Sequence, residues 1–187
     1  MPFTLIIILV ILASESFITT WYSSAIHSKL NETAPVKLPI ALSIIKSLVL
    51  LIGIYLGGIV SIAAPWFYTA IAYAIMFIIG LKIITESLKF NPEERIVLID
   101  NNKTLILISI AGTFNPLFIG LSLGLIGTDI LRPVMLLFVI TLLISFISLY
   151  LGKRYGLRPF LRYIGITAGL TIAIIALRFF ISYFINW

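Results

Sequence analysis

Residues 3–25 read FTLIIILVILASESFITTWYSSA, an apolar run with one carboxylate, Glu15, at its middle. At 1.5 Å per residue, a helix over this stretch crosses a hydrocarbon layer of about 30 Å. The run lacks a basic leading segment and a small-residue cleavage site, so we expect it to remain as a helix. Comparable runs predict six helices: Phe3 to Ala25, Leu38 to Gly58, Trp66 to Leu88, Thr104 to Ile126, Arg132 to Gly152 and Phe160 to Phe184.

The composition is that of a protein whose solvent is lipid. Of 187 residues, 61% are hydrophobic and 11% are charged, and the mean hydropathy is +1.19. A soluble domain of this size cannot hide so much apolar surface in one core. Long runs without dyad alternation predict helices rather than the strands of a barrel. We therefore expect an all-α integral membrane protein with six transmembrane helices, forming a single transmembrane domain over residues 1–187 in the lipid bilayer.

Basic residues are distributed unevenly among the predicted loops. The opposite side has little beyond Arg132, whereas the loops after helices 1, 3 and 5 contain Lys29, Lys37, Lys89, Arg95, Lys103, Lys153, Arg154 and Arg158. The positive-inside rule places these three loops in the cytoplasm and both termini outside. The net charge of +6 therefore follows membrane topology and does not indicate a nucleic-acid partner.

The two halves of the chain resemble each other. The segment Ile52-Gly53-Ile54-Tyr55-Leu56-Gly57 matches Ile147-Ser148-Leu149-Tyr150-Leu151-Gly152, and Ile79-Gly80-Leu81-Lys82 matches Ile175-Ala176-Leu177-Arg178. The offsets are 95 and 96 residues, and an offset of about 100 places Glu15 opposite Asn115. Because each half has three helices, the repeats must have inverted topology, as in many secondary transporters. We expect repeat 1 over about residues 1–89, a cytoplasmic loop over about 90–103 and repeat 2 over about 104–187.

Two ionisable residues are predicted near the bilayer centre, where each costs about 2.5 to 3.5 kcal/mol. Glu15 lies between Ser14 and Ser16, with Thr19 one turn further on, a polar stripe that must face the bundle. Lys46 lies near the middle of helix 2. The two charges can pair and serve packing alone, or they can line a cavity in which Glu15 binds a cation or a proton. These interpretations are compatible, because a pair can break during transport.

Asn115 and Pro116 place an amide beside a helix breaker in helix 4. The proline either kinks the helix or leaves carbonyl groups near Gly112 without donors and able to face a ligand. The pair Lys82 and Glu86, one turn apart, predicts a local salt bridge. Close helix packing is predicted by three glycine pairs, which are Gly53 with Gly57, Gly120 with Gly124, and Gly165 with Gly169.

Enzyme chemistry finds little support in the sequence. His27 has no carboxylate or nucleophile constellation nearby, and there is no Gly-rich phosphate loop or metal-ligand cluster. Cysteine is absent, which excludes disulfides and thiolate ligands. We therefore expect neither an enzyme nor a bound cofactor.

Several motifs together resemble the MntP-type manganese efflux pumps of bacterial inner membranes, which are relatives of the LysE-like exporters. They are the length, the six helices, Gly80-Leu81-Lys82 through Glu86, Ile110-Ala111-Gly112-Thr113, and the turn Gly152-Lys153-Arg154. The resemblance implies an inner-membrane exporter of a small solute, by default Mn²⁺, working by alternating access. It also implies a metal path of acids in helices 1, 2 and 4, whose oxygens suit manganese. The matching positions here are Glu15, Lys46 and Asn115.

Compared with the acids that the resemblance implies, Glu15 keeps the charge, Lys46 reverses it and Asn115 is neutral. A lysine about 5 Å from a divalent ion, at an effective dielectric of about 20, repels it by about 6 to 7 kcal/mol, close to the roughly 8 kcal/mol of a micromolar site. Either Lys46 is neutral or points elsewhere, or the cargo is not manganese. A zwitterionic solute would suit a carboxylate beside an ammonium group.

The candidate transport-site residues are Glu15, Lys46, Asn115, Ser14, Thr19 and Pro116, with Glu15 and Asn115 as candidate metal ligands. Because two of the three acids are missing, the alternative is a transport-inactive accessory subunit of a larger membrane protein complex.

Overall fold

A computed structural model describes residues 2–30, 36–63, 67–89, 109–110 and 112–185. Within these residues the chain forms six helices, which are α1 (Pro2–Lys29), α2 (Lys37–Ala63), α3 (Tyr68–Leu88), α4 (Phe114–Leu125), α5 (Leu131–Tyr155) and α6 (Leu161–Ile185). All of these helices except α4 are long and apolar enough to cross a membrane. The predicted all-α membrane fold is confirmed. The predicted loop over residues 90–103, the start of the fourth span at Thr104, and Trp66 lie outside the described residues.

The fourth span differs from its prediction. The described helix has 12 residues, from Phe114 to Leu125, and its length of about 18 Å is too short for a bilayer. Ser109 and Ile110 are helical, but the chain leaves the helix at Gly112 and Thr113. The N–H of Thr113 donates to the carbonyl oxygen of Ile110 at 2.9 Å, which closes a turn between the two helical pieces.

Pro116 explains where this helix begins. The prediction placed it inside a continuous span, whereas the structure places it in the first turn of α4. A proline is tolerated there because the first N–H groups of a helix have no intrahelical partner. The same residue cannot donate to the carbonyl group four residues earlier, that of Gly112, so the helix cannot continue unbroken through this point. Irregular backbone at membrane depth is found where it is buried in protein or lines a cavity.

The helices pack in pairs that repeat between the two halves. Helix α1 packs on α5 and α4 packs on α2, while α3 packs on α6. A Cβ atom on Gly57 of α2 would clash with the carbonyl oxygen of Leu121, and one on Gly152 of α5 would clash with that of Trp21. Gly152 follows Gly57 by 95 residues and Leu121 follows Trp21 by 100. The same close contact is therefore made twice, and it confirms that the glycine pair in α2 serves close packing.

A second equivalent contact uses different chemistry in the two halves. Gly124 lies against the carbonyl oxygen of Ile54. At the matching positions, the Ser24 hydroxyl donates to the carbonyl oxygen of Leu149 at 2.6 Å. Glycine thus allows backbone contact where α4 meets α2, and serine supplies a hydrogen bond where α1 meets α5. These contacts support two equivalent halves, whose bounds stay a prediction.

Candidate functional site

A cavity of about 400 Å³ leads from the centre of the bundle to the end where α1 and α3 end and α2 and α6 begin. Glu15, Lys46 and Asn115 line it, together with Glu86 and Arg162 nearer that end. Beyond Glu15, the bundle is filled by a buried apolar cluster that includes Leu9, Leu12, Ile79, Ile119, Leu123 and Ile172. The cavity therefore connects the central polar residues with one end of the bundle.

Glu15 lies at the centre of a hydrogen-bond network between helices. Its Oε1 accepts from Nδ2 of Asn115 at 2.5 Å, and its Oε2 accepts from Nζ of Lys46 at 3.3 Å. Glu15 and Asn115 are the residues that the sequence repeat made equivalent, so the two halves meet through matching positions. The carboxyl side chain is 21% exposed, and this exposure faces the cavity that it lines.

Lys46 is enclosed far more completely than its partner. Its side chain is 1% exposed, and Nζ also donates to the carbonyl oxygen of Leu12 at 3.1 Å. The broken start of α4 lies beside it, since a Cβ on Gly112 would be 3.9 Å from Cε of Lys46. Removing one partner of a buried ion pair is strongly destabilising, so Glu15 holds the ammonium group in place. Glu15 and Lys46 thus form an ion pair between helices and also line the cavity.

Lys82 belongs to the same network, although the sequence predicted only its local salt bridge. Its Nζ lies 3.5 Å from Oε1 of Glu86, which confirms that bridge, but it also donates to Oδ1 of Asn115 at 2.9 Å. It further lies 5.6 Å from the ring centroid of Phe114. The contact with Asn115 joins α3 to α4, and local sequence spacing contains no signal for it. A series of partnered side chains thus runs from Lys46 to Glu86.

The remaining candidate residues lie around this network. Thr19 lines the cavity, and its hydroxyl donates to the carbonyl oxygen of Glu15 at 2.9 Å. The Ser14 hydroxyl donates to the carbonyl oxygen of Ile11 at 2.7 Å. Neither Ser14 nor Pro116 is among the residues that line the cavity. The cavity therefore brings together Glu15, Lys46, Asn115 and Thr19, and Pro116 lies beside Asn115 in the first turn of α4.

The site as it stands does not suit a divalent cation. Among the described residues there is no group of three or more His, Cys, Asp or Glu side chains that could hold a metal ion. Both carboxylate oxygens of Glu15 already accept hydrogen bonds from other side chains. Two ammonium groups, those of Lys46 and Lys82, belong to the same network. An incoming cation would bind next to these two ammonium groups, which donate to Glu15 and Asn115.

Five bilayer-length helices around a central charged network define a multi-pass membrane protein built around an intramembrane polar site. A sequence model of the Mntp family, described as "Putative manganese efflux pump", matches residues 29–180. The chain belongs to this family.

Relatives of the same description cover different shares of the chain. One from Crocosphaera subtropica is 31% identical over 182 residues, covering 91% of this chain and 90% of the relative. One from Methanosarcina mazei is 35% identical over 104 residues, covering 56% of this chain and 53% of the relative. One from Clostridium botulinum is 26% identical over 194 residues, covering 96% and 94%. The chain thus spans about half the length of the Methanosarcina mazei relative. No solved structure matches the chain.

Proposed function

We propose that this protein exports a small solute across the membrane, and that the solute binds in the cavity at Glu15. The observation that carries the proposal is a carboxylate near the middle of a helix long enough to span a membrane, in a cavity that leads to one end of the bundle. An ionisable residue at that depth is costly and marks a transport path in many membrane proteins. The relatives' name, manganese efflux pump, makes Mn²⁺ the first cargo to test.

A second cavity supports alternating access as the mechanism. It has a volume of about 380 Å³ and is lined by the start of α1 and by residues near the opposite end of the bundle. Its lining repeats that of the first cavity at the offsets of the sequence repeat. Ile126, Leu123, Pro133 and Phe179 of the second cavity match Ile26, Ser23, Leu38 and Ile83 of the first.

The first cavity reaches Glu15, whereas Glu15 is not among the residues that line the second. An inverted pair of halves that exchanged shape would close the first cavity and extend the second to the centre. The first cavity adjoins the end where Lys29, Lys37 and Lys89 lie, which the positive-inside rule assigns to the cytoplasm. We infer that the described state is open to the cytoplasm.

The charges leave a second candidate cargo. Glu15 and Lys46 form a pair 3.3 Å apart, and a zwitterionic solute can match a carboxylate and an ammonium group at the same time. A divalent cation instead meets repulsion from Lys46 and Lys82. If manganese is the cargo, Lys46 therefore either is neutral or moves away from Glu15 when the ion binds.

The direct test is cellular manganese. Cells lacking their own manganese exporter would be compared with and without this protein, measuring growth in excess manganese and total cell manganese by mass spectrometry. We expect the protein to lower cell manganese and Glu15→Gln to abolish the effect. We expect a smaller effect for Glu86→Gln, because Glu86 is 50% exposed and lies further along the cavity. Equal manganese content with and without the protein would rule out manganese as the cargo.

The alternative, an inactive accessory subunit, predicts a different assembly. Extraction in a mild detergent followed by native mass measurement would separate the two. A single chain or a homo-oligomer supports a self-contained exporter. Stoichiometric foreign subunits, together with an unchanged phenotype for Glu15→Gln, would instead support the accessory role.

A further inference from the structure

Lys82 contacts Asn115 in the structure, but the residues at the matching positions of the repeat do not contact each other. Arg178 follows Lys82 by 96 residues and matches it in the repeat, and Asn115 follows Glu15 by 100 residues. The equivalent contact would therefore join Arg178 to Glu15. In the described state, Glu15 is instead bound by Asn115 and Lys46, and Arg178 is exposed on α6.

The surroundings of Arg178 fit such a contact. The neighbouring residues Ile175 and Phe179 line the second cavity, just as Ile83, next to Lys82, lines the first. Helix α6 already packs on α1, and this pair is the equivalent of α3 packed on α4. Arg178 thus lies on a helix that contacts the helix of Glu15, and its neighbours Ile175 and Phe179 line the cavity that would open in the other state.

We propose, building on the export mechanism above, that Arg178 is a positioning residue that pairs with Glu15 when the second cavity reaches the centre. If the two halves exchange shape, a contact made in one half is replaced by the matching contact in the other half. The contact of Lys82 with Asn115 is then replaced by a contact of Arg178 with Glu15. A guanidinium–carboxylate contact is charge-assisted and can be bidentate. This contact would hold the carboxylate of Glu15 in the state in which the second cavity reaches the centre, while Lys46 holds it in the described state.

The physical advantage is that the carboxylate is never left unpaired. An isolated carboxylate in an apolar interior is strongly disfavoured, and the region beyond Glu15 is the apolar cluster around Leu12 and Ile172. With Lys46 as its partner in one state and Arg178 in the other, Glu15 can pass between the states without losing a cationic neighbour. The contact would thus set the balance between the two states.

The chain contains no cysteine, so single reporter thiols can measure this balance. Thr4→Cys reports on the second cavity and Ser23→Cys on the first, since these residues line them. The full chain is reconstituted in liposomes and labelled with N-ethylmaleimide. We expect Arg178→Gln to lower the ratio of Thr4→Cys to Ser23→Cys labelling by about fivefold or more, the lower end of usual coupling between states. Lys82→Gln is expected to raise it, and Arg178→Lys to preserve most of it.

A double variant separates this role from simple structural support. Because Arg178 acts through Glu15, Arg178→Gln should change the ratio little when Glu15→Gln is already present. An unchanged ratio in Arg178→Gln, alongside a change in Lys82→Gln, would overturn the role of Arg178 and leave the export proposal standing. Additive effects of Arg178→Gln and Glu15→Gln on the labelling ratio would also overturn the proposed role of Arg178. If Arg178→Gln fails to give a monodisperse protein, Arg178→Met carries the same test. No loss of export in Glu15→Gln cells counts instead against the proposed function.

Discussion

Replacing Lys46 with methionine removes the ammonium group beside Glu15 while keeping a side chain of similar length. The Nζ atom lies 3.3 Å from Oε2 of Glu15. A divalent ion bound to that oxygen at about 2.0 to 2.6 Å would be about 5 Å from Nζ, and the repulsion at an effective dielectric of about 20 is about 6 to 7 kcal/mol. Part of this gain is lost, because Glu15 loses a partner. We expect Mn²⁺ to bind at least about 100-fold more tightly, which corresponds to about 2.7 kcal/mol.

Manganese binding can be measured directly on the purified protein. The electron paramagnetic resonance signal of free Mn²⁺ decreases as the ion binds, so a titration gives the affinity. Lys82→Gln is the matched control. The Lys82 side chain is 37% exposed and its ammonium group pairs with Glu86. We therefore expect its removal to increase the affinity for Mn²⁺ by less than about tenfold. The combination of Lys46→Met with Glu15→Gln should abolish the gain. If neither Lys46→Met nor Lys46→Gln binds Mn²⁺ more tightly than the natural chain, Lys46 does not exclude the ion and the electrostatic argument is refuted.

Two further predictions concern the amide and the packing. Asn115→Asp adds a second carboxylate beside Glu15. In the Lys46→Met background, the same titration should show Mn²⁺ binding that is tighter by a further tenfold or more, or about 1.4 kcal/mol. Weaker binding would show that Asn115 does not face the ion. Gly57→Ala places a methyl group against the carbonyl oxygen of Leu121, whereas Gly58→Ala meets nothing within 4 Å. Thermal unfolding in detergent should show a loss of about 1 to 3 kcal/mol for Gly57→Ala and little for Gly58→Ala, and equal losses would contradict the close contact.

The sequence predicted the parts of this fold that depend on local pattern. Apolar length identified the helices, and the repeat at offsets near 100 paired Glu15 with Asn115, which the structure joins by a hydrogen bond. The start of α4 was missed because hydropathy continues through Gly112 and Thr113, while the backbone does not. The contact of Lys82 with Asn115 was missed for a different reason. Local spacing relates Lys82 to Glu86 on its own helix, but only tertiary packing decides which other helix lies within reach.

The charges at the centre bear on whether the site is in use. Replacing a buried ion pair with apolar residues of similar volume is often neutral or stabilising, so a membrane protein that only needs packing gains little from Glu15 and Lys46. Here the ammonium group of Lys46 is held by two oxygen atoms, those of Leu12 and Glu15, much as oxygen ligands hold a bound cation. Lys46 thus supplies a positive charge beside the carboxylate from within the chain. A site that had merely lost its function would more readily become apolar, so the partnered network supports our proposal that the site is used in transport.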